Sequence, residues 1–330
     1  MRKIGALYEG RGLTLQTRNG SSAPLFADNC NIQDPHGYLA DEGLAASVNV
    51  ALALGQPLLI TGEPGTGKTQ LGHSIAYELG LRLFVFNTKT TSTYQDLIYK
   101  YDALRHYQAV QLGNSETDPR NYIIYGPIGE AIRCAMDRQS PFCPPEYRNT
   151  PCERSVVLID EIDKAPRDLP NDVLNEIDRM SFEVPECHLK FGADGAFRPI
   201  LVFTSNLEKD LPAAFRRRCV FYHITFPNDQ ELEAIIKRRL GIDNNNVIQN
   251  ALKHFRSIRD LDLEKLPATA ELISWMEVLN ALKLEDQDFS NLSPEQSAAL
   301  VASLSVLAKT ADDLRRVKEH FAEGHAGKGN

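Results

Sequence analysis

The chain has 330 residues, 42% of them hydrophobic and 24% charged, with 36 Lys and Arg against 44 Asp and Glu and a formal net charge of −8. That balance suits an ordinary globular core built without metal or disulfide staples, over about two domains of roughly 150 residues each. It argues against a general nucleic-acid binder, which would carry a basic stripe for phosphate, though a local basic rim is compatible with it. No apolar run approaches the ~20 residues needed to cross a bilayer, and Met1 to Gly20 lacks the apolar centre of a signal peptide, so no membrane role and a cytoplasmic location are expected. The six cysteines, Cys30, Cys134, Cys143, Cys152, Cys187 and Cys219, show no CxxC and no zinc spacing, and read as unconnected thiols.

Residues 1–37 carry scattered Gly, Ser and Asn and read as a leader, partly disordered. From Tyr38 the spacing of Leu44, Val48, Ala51 and Leu52 predicts a helix. Leu58 to Thr61 reads as a short buried strand, followed by a Gly-rich loop and a helix through Leu79. Leu83 to Phe86 is a second buried strand. The polar, Tyr- and Thr-rich stretch 89–126 reads as an insertion with two strand-like runs, Tyr99–Val110 and Tyr122–Tyr125. Gly129–Asp137 is helical, Pro141–Pro151 a loop, Val156–Ile159 a third buried strand, and Leu169–Arg179 a helix. Residues 182–199 resemble a hairpin tipped by Gly192 and Gly195, and Ile200–Thr204 is a fourth apolar strand. Strands alternating with helices imply an α/β fold with a parallel sheet covered on both faces. After Pro227 the pattern turns helical over Glu231–Leu240, Asn246–Phe255, Thr269–Leu284 and Pro294–Phe321. The expected organisation is therefore an α/β domain over 38–227 and a small all-α domain over 228–330.

Gly62-Glu63-Pro64-Gly65-Thr66-Gly67-Lys68-Thr69 satisfies G-x-x-x-x-G-K-[ST] between a predicted strand and a predicted helix. Glycines let successive backbone amides face one anion, and the helix N-terminus adds partial positive charge. Lys68 supplies a point charge between the β- and γ-phosphates, and the Thr69 hydroxyl a ligand for Mg²⁺. Gln70, next on the helix, is counted with this nucleotide-binding set. Val156 to Ile159 runs into Asp160 and Glu161 at the strand end where ligand chemistry gathers in a parallel sheet. Asp160 is the expected Mg²⁺ holder and Glu161 the general base for the attacking water. Ile200 to Ser205 ends likewise in Asn206, placed to hydrogen-bond the γ-phosphate or the lytic water. Arg216, Arg217 and Arg218 follow. A basic triplet is most often a solvated face, but beyond this strand it also suits an arginine delivered to a neighbour's nucleotide. Arg218 is the first candidate and Arg217 the second.

Together these motifs resemble the AAA+ ATPases, from about Tyr38 to the end of the chain. Within them, Asp160-Glu161-Ile162-Asp163-Lys164, Gly126-Pro127-Ile128-Gly129-Glu130, the hairpin before the Asn206 strand and Phe215-Arg216-Arg217-Arg218-Cys219 resemble the MoxR-like branch. The resemblance implies a P-loop NTPase sheet with a helical lid and ATP and Mg²⁺ as cofactors. It further implies a hexameric ring, chaperone-like remodelling of a protein client, and partnership with a von Willebrand A-type protein. It also implies that 89–126 and 182–199 face the pore or client, and that Tyr38 and Leu39 pack the adenine. The sensor-2 arginine expected near Leu266-Pro267-Ala268-Thr269 is not evident, which leaves Lys265 or another residue as its substitute, or a different lid coupling. A slowly hydrolysing ATP-gated switch is the alternative function, and a DNA-remodelling AAA+ protein a weaker one. A GTPase is disfavoured because Asn87-Thr88-Lys89-Thr90 is misplaced for an N-K-x-D guanine reader and lacks the acid. Trp275 reads as core, His188 as a hairpin side chain, and Tyr99, Tyr101 and Tyr107 as packing of the insertion more than as a client grip.

Overall fold

A computed structural model describes residues 35–112, 118–141, 143–284, 289 and 292–326. Nearly all of the leader expected over 1–37, Cys30 included, lies outside the described residues, as do parts of the insertion and of the Gly-rich end. The described chain divides into two compact units. One comprises 40–63 and 67–225, the other 226–326 with the short segments 35–39 and 64–66.

The first unit is built on five parallel strands. In chain order these are β1 (Leu58–Gly62), β2 (Arg82–Asn87), β5 (Ser155–Asp160), β8 (Ile200–Ser205) and β9 (Val220–Ile224), arranged β2-β5-β8-β1-β9. Pairing is in register, so that Thr61 lies beside Ser205, Asn87 beside Asp160 and Gly62 beside Ile224. Every strand therefore delivers its C-terminal end to one edge. β1 and β8 are buried throughout and β5 up to its last residue, as their unbroken apolar runs predict. β2 differs from expectation: it is half-exposed, with Val85 43% exposed, because it is an edge strand with β5 as its only neighbour in the sheet.

Helix α1 (Glu42–Leu54) begins where Asp41 Oδ1 accepts the Leu44 amide at 2.9 Å. It ends where Gly55 turns left-handed, the common N- and C-terminal signatures of a helix. It packs on β9, while α2 (Lys68–Glu78) lies on β5, bringing Gly72 against Leu158.

The insertion and the segment after it depart from expectation. After a one-turn helix α3 (Tyr94–Leu97), only Tyr99–Tyr101 of the expected strand-like run forms a strand, β3. Asp102 then caps a helix, α4 (Ala103–Gln111), by accepting the Arg105 amide at 2.9 Å, and the local cap overrides the aromatic, strand-like composition. β3 pairs antiparallel with β4 (Ile123–Tyr125), and α5 (Pro127–Cys134) follows. Gly129 is required there, because a Cβ would stand 1.9 Å from the Ile98 carbonyl oxygen. The expected helix 169–179 breaks at Val173 into α6 (Leu169–Asp172) and α7 (Leu174–Arg179).

The hairpin of β6 (Ser181–Val184) and β7 (Leu189–Gly192) is tipped not by glycines but by 185–188, where His188 takes φ 53°. Gly192 closes β7 and Gly195 lies beyond it. The two hairpins share an aromatic stack: Tyr99 on Phe182 at 6.0 Å and Phe182 on Phe191 at 5.1 Å between ring centroids. Tyr99 thus packs as expected, whereas Tyr107 is 63% exposed. A short helix α8 (Ala213–Arg216) then leads to β9.

The second unit is helical: α9 (Asp229–Leu240), α10 (Asn245–Arg259), α11 (Thr269–Leu282), α12 (Pro294–Ser303) and α13 (Ala311–Ala326). The single helix expected over 294–321 is two. Leu304 and Leu307 turn into the core, and Thr310 Oγ1 accepts the Asp313 amide at 3.1 Å to start α13. Trp275 is fully buried with its indole donating to Ser303 Oγ at 3.0 Å. It is core, and truncating such a side chain costs about 3–5 kcal/mol.

Candidate nucleotide site

β1 runs into the glycine-rich loop and α2 opens at Lys68, so the motif sits between strand and helix as its chemistry requires. Gly67 immediately before the helix has φ 88°, a left-handed backbone that a side chain would strain. Lys68 is only 6% exposed, and its ammonium donates to the carbonyls of Gly62 at 2.8 Å and Glu63 at 2.7 Å. Burial pulls its pKa below the usual lysine value, opposed by the nearby carboxylates, Asp160 foremost. The same burial lowers His73.

One residue on, the Thr69 hydroxyl donates to the Asp160 carboxylate, 2.9 Å from Oδ1 and 3.0 Å from Oδ2. Thr204 Oγ1 donates to Asp160 Oδ1 at 2.5 Å from the neighbouring strand, and the Thr204 hydroxyl accepts the Glu161 amide at 2.8 Å. A single buried threonine therefore ties the two acidic residues to β8. Glu161 has φ 54° and ψ 51°, a left-handed conformation that is costly for a non-glycine residue and gathers at functional sites. Its carboxylate accepts Asn206 Nδ2 at 3.0 Å through Oε1 and Lys164 Nζ at 2.5 Å through Oε2.

The loop carrying Asn206 is held from below. Asp163, 2% exposed, accepts the amides of Asn206 at 3.2 Å and Glu208 at 3.0 Å through Oδ2. Leu207 between them takes φ 61°. Asp163 turns two backbone amides at a strand end into a rigid bracket.

Lys68, Thr69, Asp160, Glu161 and Asn206 thus meet at one edge of the sheet. Arg217 and Arg218 do not join them. They precede β9, whose first residue donates its amide to Pro57, so they lie at the opposite end of strands about 13 Å long. Arg218 is 42% exposed and its Nε donates to Asp178 Oδ2 at 2.7 Å. Arg198 donates to the carbonyls of Gly55 at 2.9 Å and Ile177 at 3.1 Å in the same shallow cavity. Tyr38 and Leu39 fall in the other unit, Leu39 39% exposed. Sequence reasoning passed over Thr204, Asp163 and Lys164 as site residues. The available signal was a hydroxyl one turn of the pleat before the end of an apolar strand, and an acid two residues beyond the acidic pair.

The residues present fit a magnesium nucleotide. Thr69 and Asp160 form an oxygen-only donor pair of the kind that holds Mg²⁺ together with phosphate oxygens, rather than an all-protein cage. Gln70 Oε1, one residue further along the helix, is buried without a hydrogen-bond partner among the described residues.

Residues 57–219 match the family model of the AAA domain, dynein-related subfamily, a span just short of half the chain. No curated protein matches the sequence significantly. Among solved structures, a proline-to-glycine mutant of Thermotoga maritima RuvB is similar at 16% identity and a TM-score of 0.46, over 82% of this chain and 71% of that one. The Thermotoga maritima RuvB Holliday junction branch migration motor is similar at 15% identity and a TM-score of 0.42, over 80% and 67%. The segment 57–219 is thus similar to AAA domains.

Proposed function

We propose that this chain, with its likeness to AAA domains as the starting point, is an ATP hydrolase that works as a ring and remodels a protein client. The observation that carries the reading is the hydrogen-bonded cluster of Thr69, Asp160, Thr204, Glu161 and Asn206 beside a buried lysine, on the edge where a parallel sheet binds ligands. In this reading the amides of 62–69 and Lys68 bind the phosphates, and Gln70 lines the same pocket. Thr69 and Asp160 hold magnesium, which when bound neutralises charge between phosphate oxygens. Glu161 takes a proton from the attacking water, and Asn206 fixes the angle of that carboxylate. Arg218, or Arg217, faces outward and serves the nucleotide of an adjacent copy, which explains why neither approaches the cluster of its own chain. Tyr38 and Leu39 contact the adenine.

The MoxR-type assignment rests on the resemblance of Asp160-Glu161-Ile162-Asp163-Lys164 and Phe215-Arg216-Arg217-Arg218-Cys219 to that branch, and the hexamer and the von Willebrand A-type partner follow from that resemblance alone. A second reading, an ATP-gated switch that hydrolyses slowly, is favoured by one observation: both oxygens of Glu161 are already bonded within the chain. Replacing Glu161 with Gln tests the parent reading. ATP binding is retained while turnover falls about 10²-fold or more, the contribution of a positioned general base. Unchanged turnover would reject the assignment. Comparing wild-type turnover with and without a client separates motor from switch.

A further inference from the structure

The end of the sheet away from the carboxylates holds more positive charge than its own chain neutralises. Arg198, Arg217 and Arg218 line one cavity of about 370 Å³ there, with Asp178 the one acid among the described residues of its wall. Three guanidiniums against one carboxylate leave a surplus of two positive charges, in a chain whose net charge is −8. That carboxylate is already engaged, since Asp178 Oδ2 accepts Arg218 Nε at 2.7 Å. Arg198, two residues before β8, is half-buried and held from two sides. Its Nε donates to the Gly55 carbonyl at 2.9 Å, and its Nη2 to the carbonyls of Ile177 at 3.1 Å and Asp178 at 3.4 Å. Carbonyls orient a guanidinium without cancelling its charge, and Arg198 Nη1 makes no hydrogen bond among the described residues. Burial opposes the charged form of Arg198 and Asp178 supports it, but a guanidinium stays protonated in proteins. A half-buried cation kept without a counter-ion of its own is costly. A cleft lined by one sign of charge also concentrates ligands of the other sign.

We propose that Arg198 is a third arginine of a site shared between copies, the fixed floor of a cavity that seats the terminal phosphate of an adjacent copy's nucleotide. The inference rests on the reading of Arg218, or Arg217, as an arginine delivered to a neighbour. Charge selects the ligand. A carboxylate brings one negative charge, whereas a terminal phosphate brings about −1.5 to −2, which matches the surplus of two. Guanidinium forks also fit phosphate oxygens two at a time. The three arginines differ in how they are held. Arg218 meets Asp178 through a half-exposed pair that it can leave. Arg217 is exposed and its side chain makes no hydrogen bond or ion pair among the described residues. Arg198, tied to Gly55 and Ile177, stays where it is. The fixed cation draws the phosphate in, and the two looser ones close on it. Once Arg218 leaves, the Asp178 carboxylate still faces Arg198, so the exchange strands no lone acid. Arg198 makes and breaks no bond itself; it stabilises charge gathering on the phosphoryl group.

The test is steady-state ATP turnover by the full chain, with ATP affinity measured alongside. Arg198→Gln lowers turnover about 10²-fold, the scale of one electrostatic donor removed from a transition state. ATP affinity is unchanged, since the chain's own phosphate loop follows β1 at the other end of the sheet. Arg198→Lys, which keeps a charged donor for the Gly55 or Ile177 carbonyl, guards against a misfolded variant and loses less turnover. Mixing subunits separates a shared role from an internal one. Arg198→Gln subunits mixed with Glu161→Gln subunits recover turnover, because some interfaces then join an intact Arg198 to an intact Glu161. An arginine that only braces its own chain gains nothing from the mixture. Unchanged turnover in Arg198→Gln, or a loss that mixing recovers in neither variant, overturns the inference. If Arg217→Ala and Arg218→Ala are both silent, the reading of a shared site fails and takes the inference with it. If either one cripples turnover while Arg198→Gln does not, the inference alone fails.

Discussion

The two ends of the five-stranded sheet solve opposite problems. At the C-terminal end, polar side chains from β5, β8 and the glycine-rich loop satisfy one another. Thr69 and Thr204 both donate to Asp160, Asn206 donates to Glu161, and Asp163 brackets the loop beyond. At the N-terminal end, Arg217 and Arg218 face a shallow cavity, and Arg218 is 42% exposed and engages Asp178. A group that acts on its own chain's ligand is held rigidly by that chain. In the proposed reading, a group that serves a neighbour is left near the surface with a partner it can exchange, because a surface ion pair is worth only about 0–1 kcal/mol.

That contrast can be broken from either side. The largest expected effect is at the loose end. Arg218→Ala lowers turnover by about 10³-fold or more if this guanidinium meets a neighbour's phosphates, measured as steady-state hydrolysis over a range of protein concentrations. Doping it with Glu161→Gln subunits recovers activity, since some interfaces then pair an intact base with an intact arginine. If Arg218→Ala is silent and Arg217→Ala is not, the assignment passes to the second arginine. At the rigid end, Asp163→Ala leaves two backbone amides at the strand edge without their acceptor. It lowers stability by about 1–3 kcal/mol in denaturant unfolding and reduces turnover through a displaced Asn206. The smallest effect separates the two ends most cleanly. Asp178→Ala, which removes only the exposed partner of Arg218, changes stability by less than about 0.5 kcal/mol. A large loss there would mean that the arginine end is built as rigidly as the other.

That 62–69, Asp160, Glu161 and Asn206 gather at the C-terminal end was legible in the sequence, because each directly follows a buried apolar strand of the parallel sheet. The loop 62–69, Asp160, Glu161 and Asn206 could be read from short windows. Thr204, Asp163 and Lys164 could not, since their roles depend on which strands neighbour one another and on a left-handed Glu161. The insertion was misread where a local hydrogen bond decided the outcome. Asp102 starts a helix in a stretch whose tyrosines suggested a strand, and Thr310 restarts one where periodicity alone ran through. The buried character assigned to β2 failed because edge position is a property of topology and not of the strand's own residues.

The most direct trial of the account is nucleotide retention and turnover by Lys68→Ala beside the unaltered protein, with magnesium present. The unaltered protein should hold ATP and hydrolyse it, and loss of the buried ammonium should abolish both. A Lys68→Ala protein that binds and hydrolyses ATP as before would contradict the account at its root.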